Sequence, residues 1–75
     1  MSNFADEIVK ILAPVVGTGL ATSAVTMQCR KMGIIPEDLS PDNIEDFTKR
    51  FIKPLEIFAG DEIALMLIKK INQIT

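Results

Sequence analysis

Apolar residues recur every three or four positions along most of the chain, the spacing that lines them up on one face of an α-helix. Phe4, Ile8, Ile11, Leu12 and Val15 form the first stripe, with Asp6, Glu7 and Lys10 off it. This predicts a helix from Ser2 to about Ala13, capped by Ser2 or Asn3, with two acids at its positive end. Pro14 cannot donate to the carbonyl of Lys10, so the helix is expected to end or kink there.

The second helix is expected from about Thr18 to Met32. It has no clean stripe, because nearly every side is apolar or small until Gln28. A helix of that kind is normally buried on several faces. Arg30 and Lys31 suit its negative end, and Gly33 is placed as a left-handed cap with Ile34 packing back. Pro36 prevents continuation.

Ser40-Pro41-Asp42-Asn43 reads as a helix start, with Ser40 as N-cap and Pro41 in the first position. Ile44, Phe47, Phe51, Leu55 and Phe58 follow at helical spacing. Glu45 with Lys49 and Asp46 with Arg50 make favourable pairs one turn apart. Pro54 interrupts this stripe and is expected to kink the helix or split it in two. Gly60 ends it and Asp61 caps the last helix, Glu62 to about Gln73. That helix carries Ile63, Leu67, Ile71 and Ile74 as a ridge, widened by Ala64, Met66 and Ile68.

The pattern therefore predicts a single all-α domain over 1–75. Its form is a compact bundle of four helices, or five if the third splits at Pro54. Short loops make successive helices antiparallel neighbours. No internal repeat is visible.

Length adds a constraint. A chain of 75 residues buries only about 60% of its unfolded surface and has a thin stability margin. One cysteine excludes an intramolecular disulfide, and without histidine a zinc site is not expected. Helix packing and self-association remain as sources of stability. Hydrophobic residues make up 48%, more than so small a body readily hides, so part of the apolar surface is expected to meet a partner.

Charge narrows the functional classes. A net charge of -2 gives no basic field for nucleic-acid phosphates. Helices that begin with Asp42, Asn43, Glu45 and Asp46, or with Asp61 and Glu62, would repel DNA where a recognition helix needs donors. The span from Ile11 to Cys29 has no charge and approaches the ~20 residues of a membrane helix. It also holds Pro14, Gly17, Gly19, Gln28 and four hydroxyl residues, so buried helix is expected rather than a membrane span. The lone thiol and the absence of a cationic leader pattern suggest the cytoplasm.

Candidate chemistry is sparse. Gly17-Thr18-Gly19 lacks the preceding strand and third glycine of a dinucleotide loop. Cys29 has no base near it in sequence and reads as a small core residue. Glu37, Asp38, Asp42, Glu45 and Asp46 fit dipole pairing better than acid–base work. Met27, Met32 and Met66 with Phe47, Phe51 and Phe58 can line an apolar pocket, but such spacing usually means core.

No enzyme activity and no cofactor are therefore expected. The first functional expectation is a protein-interaction module, forming a homo-oligomer or docking on a larger partner. Its candidate surface is Gly17, Leu20, Ala21, Ala24 and Met27 on the second helix. The second expectation is a carrier for a small apolar ligand held between helices.

Overall fold

Asn3 opens the first helix with a complete capping box. Its side-chain oxygen accepts from the Asp6 N–H at 2.9 Å, and the Asp6 carboxylate accepts from the Asn3 N–H. The computed structural model describes residues 3–74, so the alternative cap Ser2 lies outside the described residues. Helix α1 spans Phe4–Val16 and runs through Pro14. The proline forfeits one backbone bond close to the helix end, where the loss is small, and the helix stops three residues later than expected.

The stop is Gly17, with φ 91° and ψ 151°, a conformation essentially reserved for glycine. Its N–H donates to Ala13 and its carbonyl accepts from Ala21, so one residue closes α1 and opens α2 (Thr18–Lys31). After α2, the Gly33 N–H reaches Arg30 and the Ile34 N–H reaches Cys29, the expected left-handed cap. A single 3-10 turn at Pro36–Asp38 leads on to α3 (Ile44–Ala59) and α4 (Asp61–Gln73).

Two expected helix starts are corrected. Ser40 is not the cap of α3: Ser40 to Asn43 is a turn, and the helix begins at Ile44. The Ser40 N–H donates to the Asn43 side chain at 2.8 Å, and the Phe47 N–H donates to the Asn43 carbonyl. This turn lets Leu39 reach the core before the helix starts. Asp61 likewise does not cap α4, because Gly60 (φ 86°) is the whole connection and Asp61 is already helical. Its carboxylate still lies at the positive end.

Helix α3 is continuous across Pro54, which gives four α-helices among the described residues. The expected ion pairs Glu45–Lys49 (3.2 Å) and Asp46–Arg50 (3.1 Å) are formed on its exposed side. The core is contiguous and draws on every helix, through Ile8, Leu12, Val25, Phe47, Leu55, Leu67 and Ile71 among others. Phe47 and Phe51 add a tilted ring pair with centroids 5.0 Å apart. Phe58, expected on the same stripe, is instead exposed, as is Ile63 in α4.

The structure reveals a regularity that the residue types conceal. A shift that carries Gly17 onto Gly60 carries α1–α2 onto α3–α4. Phe4 then meets Phe47, Leu12 meets Leu55 and Ala21 meets Ala64. Buried positions coincide too: Ala5 with Thr48, Ile8 with Phe51, Val25 with Ile68 and Gln28 with Ile71. Helices pack most closely within each pair, while α2 meets α3 as α4 meets α1, and α1 meets α3. That is the contact pattern of two like units related by a pseudo-twofold.

Candidate functional site

The two seams between the units differ because their residues differ. Where α4 meets α1, Leu67 and Ile71 are fully buried and Ile74 packs against the core. The corresponding residues of α2 are Ala24, Gln28 and Lys31. Small and polar side chains thus stand where the other seam has large aliphatic ones. The result is a half-open apolar groove between α2 and α3, with a cavity volume of about 130 Å³.

Helix α2 contributes Leu20, Ser23, Ala24, Met27, Gln28 and Lys31 to it. These recur one turn apart, so they form one wall about three turns long. Helix α3 supplies the other wall with Phe51, Pro54 and Phe58. Leu20 (42%), Met27 (59%) and Phe58 (57%) keep much of their surface in water. Their exposure leaves an apolar rim around an apolar floor, which water solvates poorly.

Three of the five sequence-predicted residues come together here: Leu20, Ala24 and Met27. Ala21 does not, because it is fully buried in the core. Gly17 is the corner between helices and lines no part of the groove. The expectation that α2 is buried on several faces is also corrected. Its buried residues are Ala21, Val25, Gln28 and Cys29, one side of the helix, while Thr22, Ser23 and Met27 are exposed. Without charge before Arg30, the helix resembles a core helix in composition, yet hydroxyls and a methionine cover its outer face.

Of the methionine and phenylalanine set, Met27, Phe51 and Phe58 meet at the groove; Phe47 lies in the core and Met66 faces solvent. Sequence reasoning missed Gln28, Lys31, Ser23 and Pro54 as groove residues. Only the comparison of the two units, which needs the glycine corners to be recognised as equivalent, points to the first two.

Gln28 is 5% exposed and makes no side-chain hydrogen bond among the described residues. No fully enclosed side-chain polar atom there lacks a partner, so the Gln28 amide reaches the water in the groove. Lys31 is the one charged residue of the lining, and no acid faces it there.

Two other depressions have a different character. One, lined by Lys53, Glu56, Ile57 and Asp61, is wide, shallow and largely open. Another lies over Thr22, Ser23, Thr26, Met27 and Arg30. Both are more polar than the groove.

Cys29 is fully buried on the core side of α2. Burial pushes its thiol above the ordinary value of 9.0, and the Glu37 carboxylate adds to the shift. We expect Ellman's reagent to label it slowly at neutral pH in the native protein and quickly after unfolding. Because the folded thiol holds its proton more tightly than the unfolded one, its contribution to stability is intact below pH 9.0 and falls as pH rises further. Immediate native labelling, or stability that rises through that window, would contradict this placement.

Among the described residues, no three acids or thiols gather as a metal site. No helix of the described residues is long and apolar enough to cross a membrane. No protein-family model matches the chain, and no curated protein or solved structure is significantly similar to it.

Proposed function

We propose that this chain is a small protein-interaction module whose docking surface is the α2–α3 groove. The observation that carries the reading is the contrast between seams. One is filled by Leu67, Ile71 and Ile74, while the equivalent positions of the other leave an apolar cleft. Natural domains bury what they can, and an open apolar cleft with an exposed apolar rim costs solvation unless something covers it.

Size favours side chains as the occupant. Sites for drug-sized ligands span roughly 300–1,000 Å³, whereas this groove holds about 130 Å³. That is near the ~150 Å³ of a cavity that accepts one benzene ring. It suits one or two anchoring side chains from a partner segment lying across two helices, the helix-in-groove mode of recognition. The apolar-ligand reading is correspondingly weaker.

Site-specific photocrosslinking in the source cells tests the reading. A photoreactive residue in place of Met27 or Phe58 is expected to give a discrete protein adduct, and one in place of Ile57, outside the groove, none. Adding Ala24→Leu, which installs the side chain found at the equivalent Leu67, is expected to abolish the adduct while the domain stays folded. Identical adducts from all three positions, or adducts indifferent to Ala24→Leu, would refute the proposal. An adduct between two copies of this chain would identify the partner as a second copy.

A further inference from the structure

We propose that the groove selects an amphipathic helix carrying an acidic residue one turn beyond its apolar anchors, a reading that rests on the docking function above. The argument begins with what is missing. Relative to the closed seam, the groove lacks the leucine bulk of Leu67 over Ala24 and the aliphatic surface of Ile71 and Ile74 over Gln28 and Lys31. The occupant restores the first with an aliphatic side chain seated over Ala24. For the second it needs groups that suit an amide and an ammonium.

Gln28 marks the polar end. Its side chain is 5% exposed, makes no hydrogen bond to the described residues and reaches water through the groove, where the other unit carries an isoleucine. An occupant that displaces this water has to pair the amide itself, because a covered polar group without a partner loses solvation without recompense. Such local departures from an otherwise consistent pattern concentrate where function requires them. The Gln28 amide offers N–H donors, and Lys31 one turn on offers an ammonium. Both donate, and no acid in the lining competes for them. A carboxylate is the group that accepts from both and neutralises the charge.

The other end is apolar, framed by Leu20, Met27 and Phe58. The occupant is thus apolar over about two turns and acidic at the end over Gln28 and Lys31. Because the groove is half-open, the outer face of the occupant stays in water and must be polar. An amphipathic helix with anchors at i, i+4 and i+7 meets all three requirements.

The probe is a phage-displayed library of helical peptides with apolar residues at those anchor positions and every residue type one turn beyond each end. Clones are selected on the wild-type protein and counter-selected on Ala24→Leu. We expect Asp or Glu to be enriched at one flank. Lys31→Gln is expected to weaken those clones about two- to fivefold, and Lys31→Glu to switch the selected flank to Lys or Arg. Gln28→Ile is expected to weaken them as well while the domain melts no lower than wild type.

Clones that need the groove but show no acidic preference would overturn this inference and leave the docking function standing. Failure to obtain any clone that distinguishes wild type from Ala24→Leu would remove both. Displacement of the clones by low-micromolar decanoate, with no such effect from decanol, would assign the carboxylate preference to a small amphiphile and overturn the helix as occupant.

Discussion

Ala21→Glu is expected to abolish the folded state, seen as loss of the helical far-UV circular dichroism signal at room temperature. Ala21 is fully buried, four residues after the Gly17 corner, on the side of α2 that enters the core. A methyl group fills that position. A glutamate there overpacks the junction, at about 1–3 kcal/mol, and strands a carboxylate away from water, at several kcal/mol more. A chain of this length has only about 4–11 kcal/mol to lose, at 0.05–0.15 kcal/mol per residue. The equivalent Ala64→Glu is expected to do the same, since Ala64 is equally buried after Gly60. Ala24→Glu is the control: Ala24 is half-buried at the groove and a carboxylate there points to water. It should fold, and it should repel an acidic partner. A melting temperature for Ala21→Glu within a few degrees of wild type would contradict the burial of α2 on this side.

The contrast between Ala21 and Ala24 shows where sequence reasoning reaches its limit. Both alanines belong to the part of α2 that carries no charge, ahead of Arg30 and Lys31, and both are expected on one small-residue surface. Three residues apart, they diverge by most of a quadrant around the helix, enough to separate core from cleft. The pattern rule fails in α2 because, before Arg30 and Lys31 in its last turn, no charged residue marks the solvent side as it does elsewhere. In α1 and α3, Asp6, Lys10, Glu45 and Lys49 supply that marking, and the buried residues Ile8, Leu12, Phe47 and Phe51 follow as expected.

Helix ends were legible where glycine alone can adopt the geometry, as at Gly33 and Gly60. They were misjudged where two polar caps competed, as at Ser40 and Asn43. There the Asn43 side chain turns back onto the Ser40 N–H, a local bond with no signature in residue spacing. The exposure of Phe58 has a similar origin. It continues the spacing of the stripe, but it lies in the last turn of α3, just before the Gly60 corner, at the rim of the groove. Its counterpart Val15 is also exposed, which places the cause in the architecture of the unit and not in phenylalanine itself.

The groove also predicts a conflict between stability and function at Pro54. This residue sits inside a continuous helix, where proline is about 3 kcal/mol less favourable than alanine because it withholds a backbone N–H and crowds the preceding turn. Proline also restricts the unfolded chain, which returns about 0.4–1 kcal/mol. Pro54→Ala is therefore expected to stabilise the domain by about 2–3 kcal/mol, raising the melting temperature by at least ~8 °C for a domain of this size. Yet Pro54 forms part of the groove wall beside Phe51 and Phe58. Removing its ring and restoring the regular backbone changes the cleft, so the same variant is expected to bind the selected helical peptides more weakly.

Pro14→Ala separates the two effects. Pro14 also lies within a helix, three residues before a glycine corner, but it is exposed and outside the groove. It should stabilise by less, since one lost bond near a helix end matters less, and it should leave peptide binding unchanged. If Pro54→Ala gained stability and kept full affinity, the α3 wall would have no part in recognition and the docking surface would shrink to α2 alone. If it lost both, the proline would be compensating a strain elsewhere in α3. The expected pattern, higher stability with weaker binding at Pro54 alone, is what a helix shaped for its groove at the cost of its own backbone would show.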